Sequence, residues 1–347
     1  MGETAVGLAS VCVAFAVSAV LTYRLWHSPD LSSRMLDEPN ARSLHGTAVP
    51  RTGGVAIVVA FAVAGALALA ASSLPASWPW IGAALLVVGV VSFLDDGGEV
   101  KARYRLAAHL GAAILLLAGG ISWSLFELPG LIWDMPDPMA WVLTLGYLVW
   151  MINLYNFMDG MDGFAGGMAV FGFGALALLG WQEGDAGFAL ANAIVAAASA
   201  GFLTGNFPPA RIFLGDMGSA TLGLLAAILS LVGAQRGLFP LWAAWLAFSP
   251  FIVDATWTLL RRLFRGERVW QAHRSHHYQR LVLAGWSHRK TVLRSYLLMA
   301  ACAVTTVAAQ DMSAQDQWFL LVAWAVIYLF IGYKTRLAER LAGAASP

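Results

Sequence analysis

Long apolar stretches dominate this chain and limit what it can fold into. Eleven of them, each about 17 to 22 residues, are long enough to cross a hydrocarbon core of about 30 Å. Charged residues make up only 12% of the 347 residues, about half their share in a soluble domain. We therefore predict an all-α, polytopic membrane helical bundle. The predicted spans are 4–24, 54–73, 78–94, 106–122, 139–156, 164–181, 187–205, 217–235, 239–260, 292–310 and 316–333.

The positions of the basic residues predict how the bundle is oriented. Loops rich in lysine and arginine stay in the cytoplasm. An N-terminus outside and a C-terminus in the cytoplasm place every lysine and arginine except Arg236 on the inner side. An even number of spans would move the basic residues after 333 outside, so the bias also favours an odd number.

Residues 1–347 form a single predicted domain, because no long linker and no internal repeat divides them. Nearly all residues with chemically capable side chains fall in loops on the predicted cytoplasmic face. These loops are 25–53, 95–105, 157–163, 206–216 and 261–291. The longest external loop, 123–138, is rich in proline and glycine, which is typical of turns.

Two adjacent carboxylates, Asp95 and Asp96, lie in the stretch SFLDDGGEVKARYRL where the third span ends. The negative charges of two such carboxylates repel each other unless a cation or a proton lies between them. The basic residues Lys101, Arg103 and Arg105 follow. A helix-ending turn with solvated charges would explain the pattern, and so would a metal and phosphate site.

Four amide and carboxylate residues recur at every third position of NLYNFMDGMDG. They are Asn153, Asn156, Asp159 and Asp162. On a continuous helix they would form one polar stripe. Helix capping around Gly160 and Gly163 would explain one carboxylate but not four residues in register. Hard oxygen ligands and amide donors of this kind suit Mg²⁺ or the polar edge of a nucleotide.

A third cluster, NFPPARIFLGDMGSATLG, follows the seventh span. Asp216 lies between Gly215 and Gly218 at the start of the next helix. A helix start with exposed glycine backbone can bind anions, and the carboxylate can hold the metal that accompanies them. Asp216 as an ordinary N-cap, and Phe213 as a packing residue, are the alternatives.

The last loop, RRLFRGERVWQAHRSHHYQRL, combines arginines with His273, His276 and His277. The arginines by themselves are expected in any loop on the cytoplasmic side. Histidines interleaved with Arg274 favour recognition of a diphosphate. Zinc is a weak alternative, because cysteine partners and a clear ligand spacing are missing.

The first loop ends in Arg51, followed by Gly53 and Gly54 at the start of the second span. A simple helix entry turn would explain this pattern. Because four other loops on the same face are rich in acidic and basic residues, we expect Arg51 to contact phosphate.

Taken in order, these loops resemble those of the polyprenyl-phosphate N-acetylhexosamine-1-phosphate transferases, the MraY/WecA-type membrane enzymes that start bacterial cell-wall and surface-polysaccharide synthesis. The likeness covers most of the chain. Each motif is weak alone, but five in order on one face are specific. They are PRTGG at 50–54, FLDD at 93–96, NLYNFMDGMDG at 153–163, FLGDMGS at 213–219 and HRSHHYQRL at 273–281.

The resemblance implies transfer of a sugar 1-phosphate from a UDP-sugar to a polyprenyl phosphate such as undecaprenyl phosphate. UMP would be released, and Mg²⁺, or Mn²⁺ in its place, would be required. The enzyme would lie in a bacterial cytoplasmic (inner) membrane with its active site facing the cytoplasm. Its expected partners are a UDP-amino sugar, the lipid phosphate, the bilayer and a second copy in a homodimer, whereas nucleic acid is not expected.

The resemblance also implies roles for matching residues near the metal and the lipid. Asp216 resembles the Mg²⁺ ligand, and Asn156 is a second candidate ligand. Asp95 and Asp96 match the pair nearest the lipid phosphate.

On the nucleotide-sugar side, Phe213 resembles the aromatic residue that stacks on uracil. Asn156, Asp159 and Asp162 match a polar cluster, and His276 and His277 match a histidine motif near the diphosphate. Several family members have an unbroken histidine triplet or His-x-His-His, whereas this chain has HRSHH. That form, with Tyr-Gln after it, resembles the branch that initiates O-antigen and related surface glycans.

Both expected substrates are anionic, so uncompensated aspartates would repel them. A divalent ion, with Arg51, Arg103 and the histidine loop, would neutralise the diphosphate. A lipid phosphate is largely ionised near neutral pH, which favours its direct attack on the β-phosphorus of the donor. Asp95 or Asp96 would orient it or act as base, and a covalent aspartyl intermediate is the alternative.

The main rival from another class is a secondary transporter. A carrier concentrates polar residues near the middle of the membrane, whereas the acidic residues here lie at one face. Asp254, within the ninth span, is the exception, and both pairing with a neighbouring helix and contact with a cytoplasmic cavity are open to it. A CDP-alcohol phosphatidyltransferase is disfavoured, because DGMDGFAGGM lacks the Ala-Arg step and the later acids of that signature.

Overall fold

The computed structural model describes residues 3–28, 35–37, 48–69, 77–98, 100–268 and 273–344. Arg34 and Arg42 of the first basic loop, and residues 70–73 of the second predicted span, lie outside this part of the chain. The helices are α1 (Glu3–His27), α2 (Gly53–Leu69), α3 (Trp78–Gly97), α4 (Ala102–Ala118), α5 (Asp137–Phe157), α6 (Phe164–Gln182), α7 (Ala186–Asn206), α8 (Gly215–Gln235), α9 (Leu241–Ala247), α10 (Ser249–Phe264), α11 (His277–Leu283), α12 (His288–Ala308) and α13 (Ala314–Ala344). The strands are β1 (Leu36–Asp37), β2 (Val49–Pro50), β3 (Leu125–Leu128) and β4 (Leu131–Asp134).

The helical membrane architecture is confirmed. Eight helices of the described chain are long and apolar enough to cross a membrane, or nine if α9 and α10 count as one bent span. All of them fall on predicted spans. The other two predicted spans coincide with α2 and α4, which have 17 residues each, at the lower limit for a crossing. The count of eleven and the sides of the two termini stay predictions.

The ninth predicted span, 239–260, is wrong as a continuous helix. α9 and α10 meet at Phe248 with a bend of 87°. Pro250 lies in the first turn of α10, where its missing N–H and fixed φ are tolerated, whereas in a helix interior they would break a hydrogen bond. Hydropathy alone does not register such a break.

Helix α8 is the centre of the bundle and packs against α2, α3, α5 and α6. Small residues let these helices approach closely. A Cβ at Gly223 would overlap α5 at Met151 and Tyr155. The first turn of α8, which carries Asp216, is therefore surrounded by the ends of helices that carry other motifs.

Two antiparallel strand pairs lie in the described part of the chain. In the predicted external loop, β3 and β4 pair through a turn of Pro129 and Gly130, and Gly130 adopts a φ of 75°. β1 and β2 pair just before α2, and the N–H of Arg51 donates to the carbonyl of Met35. The β1–β2 pair leads directly into the PRTGG motif.

Candidate active site

The first and fourth motifs are joined by backbone contacts. The N–H of Gly53 donates to the carbonyl of Phe213 over 2.9 Å, and the N–H of Gly54 donates to that of Leu214 over 2.7 Å. A Cβ at Gly54 or at Gly218 would overlap the backbone of the other glycine. PRTGG and FLGDMGS, far apart in sequence, therefore form one unit.

Asp96 joins the second motif to this unit. Its carboxylate is buried, with 8% of the residue exposed, and it accepts hydrogen bonds from the N–H groups of Asp216 (2.8 Å) and Met217 (2.9 Å). These are donors that the start of α8 leaves unpaired. Gly215, with a φ of 75°, is required here, because a Cβ would overlap the Asp96 carboxylate and the Arg51 carbonyl. Asp96 therefore holds the loop that carries Asp216 in place.

Asp95 has a different environment from its neighbour. Its Oδ1 accepts the N–H of Val100 over 2.8 Å, and its Oδ2 accepts Arg105 Nη1 over 2.6 Å. The same Nη1 lies 3.4 Å from Asp216 Oδ2. The sequence led us to expect that Asp95 and Asp96 face one ligand as a pair. Adjacent side chains on a helix point about 100° apart, and the two carboxylates therefore have different partners.

Among the three basic residues that follow, Arg105 is the one that reaches the carboxylates. Lys101 and Arg103 are exposed, and Arg103 Nη2 donates to the hydroxyl of Tyr104 over 3.1 Å. The structure thus does not place Lys101 and Arg103 with the aspartates. A usable signal existed in the sequence, because Arg105 and the buried His109 are spaced by four residues and share a helix face.

Asn156 brings the third motif to Asp216. Its amide Nδ2 donates to Asp216 Oδ1 over 2.8 Å and to Ser219 Oγ over 3.0 Å. Asp216 therefore lies between Arg105 on one side and Asn156 on the other. Residues of α3, α4, α5 and α8 meet at this point, which we call the aspartate cluster (Asp95, Arg105, Asn156 and Asp216).

The predicted polar stripe is not formed. Helix α5 ends at Phe157, so Asp159 and Asp162 lie in the loop that follows. Asn153, which is on the helix, donates to the Val149 carbonyl over 2.7 Å and lies 3.3 Å from His109 Nδ1. Gly163, with a φ of 72°, comes directly before the first residue of α6, so the helical register of α5 does not continue into the next helix.

Asp162 anchors the proline-containing loop before α8. It accepts the N–H of Ala210 over 3.0 Å and pairs with His288 Nδ1 at 3.3 Å. Burial alone would raise the pKa of Asp162, but the bonds from His288 and Ala210 outweigh it and leave the pKa below its usual value. Asp162 is therefore ionised at neutral pH, while Asp159 lies half-buried in the same loop.

Asp254 organises the histidine motif. It is 8% exposed, and both its oxygens lie 3.0 Å from the N–H of His277. Its Oδ1 is 3.1 Å from the ring Nδ1 of His277 and 3.5 Å from that of His276. Thr258 adds a hydrogen bond over 3.2 Å. Asp254 thus pairs with the start of α11, which agrees with the first of the two alternatives that the sequence left open, pairing with a neighbouring helix.

The first histidine of the motif lies beside this group. The His273 ring is 4.9 Å from that of His276, and its Nδ1 is 2.8 Å from Ser275 Oγ. Burial, together with the nearby guanidinium of Arg262, lowers the pKa of His273 to about 4. His273 is neutral at physiological pH, and Arg274 next to it is exposed.

The histidine motif packs on the third motif through Tyr278. Its hydroxyl donates to the Phe157 carbonyl over 3.3 Å, and its ring is 4.8 Å from that of Phe164. Burial and the charges of Asp254 and Asp159 raise the pKa of Tyr278 well above its usual value. All five motifs therefore gather at one end of the bundle.

The aspartate cluster can be tested for its fit to a metal. Within the described chain, no three Asp, Glu, His or Cys side chains form a ready-made metal site. Mg²⁺ commonly uses one or two carboxylates and completes its shell with water and substrate phosphate oxygens. Asp216 is linked to Asp95 through Arg105 and accepts a hydrogen bond from Asn156. This arrangement fits a Mg²⁺ that binds together with a diphosphate, but not a Mg²⁺ whose ligands all come from the protein.

Comparison with known proteins agrees with the motif pattern. Residues 78–234 match the family model described as glycosyl transferase family 4. The chain is 30% identical to a probable undecaprenyl-phosphate N-acetylglucosaminyl 1-phosphate transferase of Bacillus subtilis, over 88% of this chain and 84% of that protein. It is 28% identical to the undecaprenyl-phosphate alpha-N-acetylglucosaminyl 1-phosphate transferase of Yersinia pestis, over 89% and 86% of the two chains.

A third relative is the decaprenyl-phosphate N-acetylglucosaminephosphotransferase of Mycobacterium leprae, 30% identical over 75% of this chain and 73% of that protein. The family-model match covers the second, third and fourth motifs, and the three relatives cover between 75% and 89% of this chain. The chain therefore belongs to glycosyl transferase family 4, the MraY/WecA-type family of bacterial membrane transferases that its motifs resemble.

Proposed function

We propose that this protein transfers N-acetylglucosamine 1-phosphate, or a related N-acetylhexosamine 1-phosphate, from a UDP-sugar to undecaprenyl phosphate. The observation that carries the proposal is the aspartate cluster, in which Asp95, Asn156 and Asp216 from three separate motifs meet. The names of the three relatives, all of which specify N-acetylglucosamine and a polyprenyl phosphate, support the choice of substrates. The product would initiate a surface polysaccharide such as O-antigen on the cytoplasmic face of the inner membrane.

In the proposed reaction, an oxygen of the lipid phosphate attacks the β-phosphorus of the UDP-sugar. A bond forms between that oxygen and the phosphorus, and the bond from the phosphorus to the bridging oxygen of UMP breaks. UMP leaves with the electron pair of the broken bond. No proton transfer is required where the attacking phosphate is already ionised, so the protein must mainly position two anions and offset their charge.

We assign the metal to Asp216, with Asn156 beside it. Mg²⁺, or Mn²⁺, would offset the charge of the diphosphate in the transition state. Arg105 can contact the phosphate groups of the substrates, because it bridges Asp95 and Asp216 and its side chain is 40% exposed. Asp96 holds the loop that carries Asp216.

On the donor side, we assign Phe213 and Asp159 to the nucleotide and sugar and Arg51 to the phosphates. His276 and His277, held by Asp254, would face the diphosphate. A carrier function is disfavoured, because the polar groups gather at one end of the bundle and the family consists of transferases.

Direct attack is favoured over an aspartyl intermediate by the environment of Asp95. Both of its oxygens accept hydrogen bonds, which lowers their nucleophilicity. The two mechanisms differ when the lipid is omitted. A covalent intermediate would let radiolabelled UMP exchange into the UDP-sugar without lipid, and we expect no such exchange.

The function is tested with the purified full-length protein in liposomes that contain undecaprenyl phosphate and Mg²⁺. UMP release is measured with UDP-N-acetylglucosamine, UDP-N-acetylgalactosamine and UDP-glucose. We expect turnover with at least one UDP-amino sugar and none without lipid phosphate or with Mg²⁺ chelated. Folded protein that releases no UMP from any UDP-amino sugar would refute the proposal.

The matched variants are Asp216→Asn and Asp137→Asn. Asp137 is exposed at the opposite end of α5 from Asn156. Asp216→Asn should lower the rate by at least about a hundredfold, and Asp137→Asn should leave it unchanged. Equal activity of the two variants would remove the metal assignment.

A further inference from the structure

An open cavity of about 230 Å³ lies between the end of α10, α11 and α13. Five arginines line it, and we call it the arginine pocket. They are Arg261, Arg262, Arg265, Arg274 and Arg280. None of the residues that line it belongs to the aspartate cluster.

Two of these arginines are neutralised within the pocket. Arg262 Nε pairs with Glu267 at 2.8 Å, and Arg280 Nε pairs with Glu339 at 2.6 Å. The side chains of both arginines are 7% exposed. The charges of these two arginines are therefore balanced by Glu267 and Glu339, which also line the cavity.

The other three arginines have no carboxylate within ion-pair distance in the described part of the chain. They are Arg261, Arg265 and Arg274. Arg261 and Arg265 are one helical turn apart, a spacing at which like charges repel. With Arg274, which lines the same cavity, they leave three positive charges that suit a phosphate group.

An exposed apolar side chain also lines the pocket. Leu283 is 54% exposed. On the faces of α10 that do not line the cavity, Leu263 is 56% exposed and Phe264 is 85% exposed. A free nucleotide would contact the arginines but not these apolar side chains, whereas a phospholipid would contact both, with its headgroup and its acyl chains.

We propose that the arginine pocket binds the headgroup of an anionic phospholipid of the surrounding bilayer. The phosphate lies among Arg261, Arg265 and Arg274, and the acyl chains leave the pocket past Leu283. The inner wall is formed by Thr258 and Ser275, which bond to Asp254 and His273 respectively. The bound lipid thereby supports the loop that carries the histidine motif.

The test compares lipid retention by the delipidated full-length protein, measured by native mass spectrometry with phosphatidylglycerol and with phosphatidylcholine. The pocket variant is Arg261→Gln with Arg265→Gln. The control is Arg289→Gln with Arg340→Gln, which removes the same charge from exposed positions outside the pocket. We expect wild type and control to prefer phosphatidylglycerol, and the pocket variant to lose this preference roughly tenfold.

Equal preference for phosphatidylglycerol in all three proteins would overturn the proposal, because it would show that the lipid is attracted to the basic surface of the protein in general. A second arm adds UDP and measures its binding. If the pocket variant binds UDP more weakly but keeps its preference for phosphatidylglycerol, the pocket serves the nucleotide and the proposal is wrong. Both readouts are independent of transferase turnover.

Discussion

Arg105 links the two carboxylates on which the proposed chemistry depends, whereas Lys101 and Arg103 of the same motif do not reach them. It lies 2.6 Å from Asp95 and 3.4 Å from Asp216. Because its side chain is 40% exposed, solvent screens these pairs and they add little to stability. We infer that Arg105 serves the substrates more than the fold.

Arg105→Gln should therefore lower the rate of UMP release by at least about tenfold, while the unfolding temperature changes little. Arg103→Gln, two residues away, removes an exposed guanidinium that contacts Tyr104 and should keep nearly full activity. Rates and thermal unfolding are measured on both variants. Equal losses of activity in the two variants would mean that only the total basic charge of this surface matters, and not the position of Arg105.

Asp254 is a second residue whose position decides the geometry of others. It is the shared acceptor for the backbone and ring of His277 and lies close to His276. We expect Asp254→Asn to weaken these bonds by about 1.5–3 kcal/mol and to lower the turnover rate at least tenfold.

Thr258→Val is the matched control, because it removes a single neutral donor to the same carboxylate, worth about 1 kcal/mol. Turnover and chemical unfolding are compared in detergent. If Asp254→Asn keeps full activity, the histidines do not need this carboxylate to face the substrate.

At the scale of elements, the site depends on how closely α2 approaches α8. Gly54 and Gly218 lie where a Cβ on either would overlap the backbone of the other. The same approach allows the backbone bonds between Gly54 and Leu214 and between Gly53 and Phe213. Helix packing and the position of the Asp216 loop are therefore one structural feature.

Gly54→Ala should destabilise the protein by about 1–3 kcal/mol, because backbone on both sides must move. Gly65→Ala, on the same helix, is the control, since nothing lies within 4 Å of its added Cβ. It should be neutral or stabilising by up to about 1 kcal/mol. Thermal unfolding in detergent that ranks the two variants in the opposite order would contradict the observed α2–α8 contact.

The bend between α9 and α10 is the element that departs most from the sequence prediction. A straight span over 239–260 would carry Asp254 within the membrane. The bend of 87° at Phe248 gives α10 its own direction, and Asp254 and Thr258 then meet α11. The arginine end of α10 reaches α13 for the same reason, through the cavity shared with Glu339.

At the scale of the whole molecule, the orientation in the membrane can be measured. The bias of basic residues predicts that the β3–β4 hairpin is outside and that the start of α12 is inside. In a variant without the free cysteines Cys12 and Cys302, we expect Asp134→Cys to react with a membrane-impermeant maleimide in intact cells. Arg289→Cys should react only after the cells are opened.

Labelling of the Arg289→Cys variant in intact cells would reverse the proposed topology and place the aspartate cluster on the outer side. Both positions are exposed, so a lack of reaction reports the membrane barrier and not burial. The homodimer is likewise a whole-molecule property, and it stays a prediction.

The sequence by itself determined the membrane architecture, the approximate positions of the helices and the family. Apolar stretches of membrane-spanning length have few alternatives to helices, because the backbone must satisfy its own hydrogen bonds in lipid. The five motifs could be found because their spacing and order are local properties of the chain. Most of the residues they contain do gather at one end of the bundle.

Only the tertiary structure decided which side chains meet. Asp95 and Asp96 are neighbours in sequence, yet one bonds Arg105 and the other holds the start of α8. Asp254 meets the histidines only because a helix bends at Phe248. Such contacts depend on rotation about each helix axis and on the close approach of small residues from distant segments. Neither property is encoded in the local pattern of polar and apolar residues.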